Sequence, residues 1–116
     1  ASVGFTEQQV KDMGIAYKCG LFPLSANGKA VIEAGGAGII KILATADTGK
    51  ILGIHILGPR ATDIIAAAAL AIQLGASAAD IAGTIYAHPT VGEAMAEAAL
   101  AVYGLSLHWP PGMKIR

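Results

Sequence analysis

His88 and Glu93 place an imidazole and a carboxylate five positions apart in the stretch Tyr86-Ala87-His88-Pro89-Thr90-Val91-Gly92-Glu93-Ala94-Met95-Ala96-Glu97-Ala98. The chemistry open to such a pair is proton transfer: a carboxylate that accepts from Nδ1 fixes the ring's tautomer and leaves the Nε2 lone pair free for a proton near neutral pH. Pro89 has no backbone N–H and disfavours the helical region for the residue before it, so His88 is expected in a loop just ahead of a helix. Thr90 is expected to cap that helix, with Glu93 completing a Thr-x-x-Glu box in which each side chain bonds the other residue's backbone N–H. Two readings of Glu93 follow. It is a cap and nothing more, or it turns to His88 and offsets the penalty that a helix N-terminus imposes on an imidazolium.

The other chemistry-bearing residues are scattered. His55 lies inside an apolar stretch and reads as a hydrogen-bonded core or seam residue, and His108 sits in the C-terminal tail. With no His-x-x-x-His or Cys-x-x-Cys spacing, no metal site is expected. The single cysteine, Cys19, has no partner for an internal disulfide; it reads as a small apolar filler in a strand and fits a reducing compartment. Gly35-Gly36-Ala37-Gly38 invites comparison with a phosphate-cradling loop. It runs into a strand pattern rather than a helix N-terminus, so it reads as a flexible approach to a hairpin.

Composition sets the frame. The 116 residues are enough for one domain with a real core; hydrophobic residues make up 54% and charged residues only 14%. That charge content is well below the roughly 25% of an average soluble domain, which implies that part of the surface is covered by something else. The formal net charge is zero and Lys and Arg do not cluster, so the basis for binding nucleic acid or an anionic membrane is missing. The longest apolar run, Ile64 to Ile72, is far short of the ~20 residues of a membrane-spanning helix, and no signal segment precedes it.

The elements that must position His88 and Glu93 can be read in order. Ser2 to Phe5 is a strand tail, and Thr6-Glu7-Gln8-Gln9 is a capping box opening a short helix that stops at Gly14. Ile15 to Phe22 is a strand stopped by Pro23, and Ser25-Ala26-Asn27-Gly28 is a turn in which Gly28 can take a positive φ. Lys29 to Glu33 is ambiguous. A hairpin follows, with strands Ile39 to Thr45 and Ile51 to Leu57 joined at Asp47-Thr48-Gly49; both strands are apolar at nearly every position, which implies a sheet covered on both faces. A helix over 62–74, stopped by Gly75, carries Ile64, Ile65 and Ile72 on one side and Leu70 and Leu74 on the other, so it has a second apolar face to cover. Ser77 caps a short helix leading to the His88 loop. The last helix, to about Tyr103, carries Val91, Met95, Ala98 and Val102 as one stripe, with Glu93 and Glu97 facing away from it on the side where a site can form. The expected fold is α+β: a mostly antiparallel sheet of four or five strands backed by helices, with the 62–74 helix and the last helix on one side. Residues 1–104 form the domain, and residues 105–116, with Trp109 before Pro110-Pro111, are a tail that is either docked or disordered.

Four blocks taken together carry a resemblance: Ala1-Ser2-Val3-Gly4-Phe5-Thr6-Glu7, Ala26-Asn27-Gly28-Lys29-Ala30, Gly53-Ile54-His55-Ile56-Leu57-Gly58-Pro59 and Ala87-His88-Pro89-Thr90-Val91-Gly92-Glu93. Over nearly its whole length the chain resembles the C-terminal interface (dimerisation) domain of the pyridine nucleotide-disulfide oxidoreductases, most closely the dihydrolipoyl (lipoamide) dehydrogenase branch. The resemblance implies that His88 is the acid-base residue and Glu93 orients it. It implies that the pair acts in trans at a partner subunit's redox-active cysteines, and that the His88-Pro89 backbone, joined by a cis peptide, lies near that subunit's flavin. It further implies FAD and NAD in the full-length enzyme with none bound to this fragment, a homodimer, and action on lipoyl groups of a 2-oxo acid dehydrogenase complex in cell redox homeostasis. The setting would be the cytoplasm, or the mitochondrial matrix in a eukaryote. The flavin and nicotinamide domains and the cysteine pair are absent, so the fragment alone is expected to be inactive. Ala94 stands where glutathione reductases, an alternative source of the domain, often carry a second glutamate. A homodimerisation module whose His-Pro-Thr turn is structural is the other alternative.

Overall fold

The computed structural model describes residues 1–109. In chain order the elements are β1 (Ser2–Gly4), α1 (Glu7–Asp12), β2 (Tyr17–Pro23), a 3-10 turn (Leu24–Ala26), α2 (Gly28–Ala34), β3 (Ile39–Thr45), β4 (Ile51–Leu57), α3 (Ala61–Gln73), α4 (Ala78–Gly83) and α5 (Glu93–Val102). The fold is α+β, and among the described residues the sheet has four strands in the order β1-β4-β3-β2, each pair antiparallel. Local chemistry explains most boundaries. Thr6 and Gln9 form the expected reciprocal cap on α1, Ser77 and Asp80 do the same on α4, and Gly35 ends α2 in the left-handed region at φ 65°.

Register decides which residues meet. Gly20, Ile42, Ile54 and Val3 line up across the four strands, as do Phe22, Ile40 and Ile56 across three of them. This face carries the core, closed by Ile64, Ile65 and Ile72 of α3, Ile81 of α4, and Met95, Ala98 and Val102 of α5. Ile40, Ile42 and Ile54 are completely buried, so truncating any one to alanine is expected to cost about 2–5 kcal/mol. The last helix lies unusually close to β2: a Cβ on Gly20 would stand 2.1 Å from the Ala98 carbonyl oxygen and 2.7 Å from the Val102 nitrogen. Glycine is what lets α5 settle onto the sheet here.

Two sequence expectations are corrected and one open segment is assigned. The sheet is not covered on both faces by this chain: α1 buries Val10 while Leu43 is buried nearby in sequence register with Cys19, but Leu21 and Leu57 on that second face are exposed. Near-continuous apolar strands signalled cover, and the chain itself supplies only part of it. Gly28 does not take a positive φ; Asn27 caps α2 by accepting from the Ala30 N–H at 2.8 Å, so the Asn-Gly pair opens a helix rather than closing a turn. The ambiguous Lys29 to Glu33 segment is that helix.

The second face of α3 is as expected, with Leu70 exposed and Leu74 74% exposed, and Ile85 on the approach to the His88 loop is 97% exposed. No helix among the described residues is long and apolar enough to cross a membrane.

Candidate active site

The site loop runs from the end of α4 to the start of α5 and is fixed by short bonds. The Tyr86 hydroxyl donates to the Ile81 carbonyl at 3.4 Å, the Thr90 hydroxyl to the Ala87 carbonyl at 2.8 Å, and the Asn27 side-chain amide to the Thr90 carbonyl at 3.1 Å. Val91 plugs the loop into the core and is 2% exposed. Asn27 is thus a positioning residue that the turn reading missed, since its other side-chain atom caps α2. The signal was present: an asparagine ahead of a helical segment is among the best N-caps.

Helix α5 starts later than Thr90. Its N-cap is Gly92, with no side-chain cap, because the Thr90 hydroxyl is spent on Ala87. Half of the expected capping box survives: the Thr90 N–H donates to Glu93 Oε2 at 2.9 Å. The same carboxylate meets His88 Nδ1, at 2.9 Å from Oε1 and 3.1 Å from Oε2. Both readings of Glu93 therefore hold at once. A carboxylate only accepts, so Nδ1 carries the hydrogen and Nε2 keeps its lone pair. The Thr90 N–H, with a lesser contribution from His88, holds the Glu93 carboxyl below the usual carboxylate range despite the opposing effect of burial. A charged Glu93 in the first turn of a helix is also favoured by the helix field.

Exposure distinguishes the two partners. The His88 side chain is 82% exposed and that of Glu93 30%. The peptide between His88 and Pro89 is cis, as the resemblance implied. Beside the pair opens a cavity of about 410 Å³ whose wall includes His88, Glu93, Tyr86, Glu97 and His108.

Glu97, read on the side of α5 where a site can form, is covered by the returning tail. It is buried, and it accepts from the Ser106 hydroxyl at 2.6 Å, the Leu107 and His108 N–H groups at 3.0 and 3.2 Å, and His108 Nδ1 at 2.7 Å. Burial alone would raise this carboxyl, but the Ser106 and His108 donors outweigh it and hold it below its ordinary range. Residues 105–109 are therefore drawn back onto α5. The reading of Pro110-Pro111 falls outside the described residues.

The remaining candidates have structural roles. His55 Nε2 lies 3.0 Å from the Phe5 carbonyl and Nδ1 3.0 Å from the Ser2 hydroxyl, so the ring ties β4 to β1 and to the residue that follows it. Cys19 is half-buried, and burial pushes its thiol up, away from the reactive thiolate. Among the described residues no three of His, Cys, Asp and Glu gather as metal ligands would.

The described residues thus form a helix-backed antiparallel sheet with an exposed imidazole, His88, held through Nδ1 by Glu93. The chain belongs to the pyridine nucleotide-disulphide oxidoreductase dimerisation-domain family, whose model matches residues 1–99. It is 48% identical over 108 residues to the mitochondrial dihydrolipoyl dehydrogenase of Pisum sativum, covering 93% of this chain and 22% of that one. It is 50% identical over 103 residues to a leghemoglobin reductase of Glycine max, covering 89% of this chain and 20% of the relative. The solved structure of LpdA from Mycobacterium tuberculosis superposes with a TM-score of 0.79 at 26% identity, over 84% of this chain and 21% of that one. The chain thus spans about a fifth of the length of the relatives it matches.

Proposed function

We propose that this chain is the dimerisation domain of a flavin- and NAD-dependent dihydrolipoyl dehydrogenase, in which His88 and Glu93 act as an acid-base pair on the partner subunit's disulfide-flavin centre. The observation that carries this reading is one ring: His88 is bonded through Nδ1 to Glu93 at 2.9 Å yet is 82% exposed. An imidazole oriented by its own domain and left uncovered by it is prepared for a group brought from elsewhere. His88 Nε2 takes a proton from the dithiol, and Glu93 stabilises the imidazolium that results.

In the full-length enzyme a bound flavin would supply the electron acceptor for the reduced cysteine pair, and NAD the onward acceptor. The residues here fit such a neighbour. No hydrogen bond from a described residue reaches the His88 carbonyl, and Pro89 has no N–H, so the loop offers an uncommitted backbone acceptor at its rim. Homodimerisation is supported by the exposed Leu70 and Leu74 face of α3 and by Ile85. Residues 1–104 are the dimerising unit and 105–116 its tail. The likeness to dihydrolipoyl dehydrogenases supports lipoyl groups of a 2-oxo acid dehydrogenase complex as substrate. The mitochondrial relatives support the matrix in a eukaryotic setting, and the cytoplasm is the bacterial equivalent.

The test is kinetic. In the flavoenzyme carrying this domain, His88→Gln should lower dihydrolipoamide turnover on the order of 10²–10⁴-fold with flavin content and dimerisation intact. Glu93→Gln should cost less, because the amide oxygen still accepts from Nδ1 but cannot stabilise the imidazolium. Turnover at the parent's rate by His88→Gln would refute the assignment.

A further inference from the structure

We propose that His108 is a second ligand-facing imidazole of this site: anchored by Glu97, it offers its free Nε2 as a hydrogen-bond acceptor to the S–H or N–H of an aliphatic molecule in the cavity that His88 lines. The inference rests on the proposed function for the identity of the molecule and on the following geometry for the residue.

Helix α5 carries two carboxylates one turn apart, and each holds an imidazole by Nδ1, Glu93 with His88 at 2.9 Å and Glu97 with His108 at 2.7 Å. Both rings lie on the wall of the one cavity of about 410 Å³. Glu97 takes bonds from four donors, which is about the capacity of a carboxylate. Three of them, from the Ser106 hydroxyl and two backbone N–H groups, already fix the tail. The fourth does something else: it sets the rotation and tautomer of a ring that is 67% exposed above a carboxylate that is 10% exposed.

With Nδ1 committed, His108 Nε2 has no partner among the described residues. The titratable groups lining the same cavity are His88, Glu93, Glu97 and the Tyr86 phenol, and each carboxylate meets an imidazole Nδ1. Apart from Asn27, the rest of the wall is apolar, with Phe22, Leu100 and Leu107, which suits an alkyl arm ending in a thiol or an amide.

Asparagine separates the two functions of His108, because its side-chain N–H can stand where Nδ1–H stands while Nε2 is removed. In the dimeric flavoenzyme carrying this domain, His108→Asn should raise KM for dihydrolipoamide about 5–10-fold, the worth of one hydrogen bond, with kcat and melting temperature unchanged. An unchanged KM would overturn the proposal and leave His108 as a tail anchor. A fall in melting temperature with the kinetic change would do the same, as would a fall in kcat with KM retained. His88→Gln measured alongside tests the proposed function separately: if it keeps the parent's rate, that reading fails while the KM of His108→Asn still decides this one.

Discussion

The seat of α5 on the sheet depends on one missing methyl group. A Cβ at Gly20 would lie 2.1 Å from the Ala98 carbonyl oxygen, 2.7 Å from the Val102 nitrogen and 2.8 Å from Val102 Cγ2. Two of these three atoms are backbone, so no rotamer change relieves the overlap; in an interior packed like an organic crystal, α5 must lift from β2 by on the order of 1 Å. Overpacking typically costs about 1–3 kcal/mol, and an obstacle made of backbone belongs at the upper end. At about 4 °C per kcal/mol for a chain of this size, Gly20→Ala should lower the melting temperature by roughly 10 °C. Gly28→Ala is the control, since nothing lies within 4 Å of its added Cβ and the position is helical; it should be neutral or stabilising by about 0.5–1 kcal/mol. Far-UV circular dichroism of the 116-residue chain during heating reads both. If Gly20→Ala melts within about 2 °C of the parent, the tight seat is not a determinant of this fold and the reasoning fails.

Two further outcomes are expected of the same chain. Lys41, followed by Tyr17, holds the Glu7 carboxyl down from its usual 4.5 to about 2, so the folded value lies below the unfolded one. The stabilisation is then complete above about pH 4.5 and lost as pH falls toward 2; urea midpoints should drop through that window for the parent and flatten for Glu7→Gln. Sedimentation at micromolar concentration should show a dimer, which Leu70→Glu combined with Leu74→Glu dissociates without unfolding; a monomeric parent would count against α3 as part of the interface.

Periodicity and capping chemistry made most of the fold legible. Thr6 and Ser77 announced α1 and α4, the Asp47-Thr48-Gly49 turn between two apolar runs announced the hairpin, and the Val91, Met95, Ala98, Val102 stripe is buried as read. The start of the Lys29 to Glu33 helix was signalled by the Asn27 N-cap, but the bond from the same side chain to a loop 63 positions away was not. Such a bond has no local trace. The His88–Glu93 contact was visible because both partners lie in one loop, whereas Thr90 was misassigned as a cap since its hydroxyl prefers a nearer carbonyl at Ala87. Glu97 was placed on the side of α5 where a site can form, but its burial beneath the returning tail was not legible. A wheel shows the helix's own faces and not the tail that returns to cover one of them.

The His88–Glu93 contact is closed within a single loop and does not wait for another chain. Its ordering entropy is therefore met when the domain folds, and an encounter with a second subunit has no side-chain search left to perform at this point. A monomer and a dimer would then carry the same ring orientation and the same tautomer, and under the proposed function assembly would add only the reaction partner. A domain organised this way can be exchanged between enzymes of its family without rebuilding the dyad, because every bond that aims the imidazole travels with it.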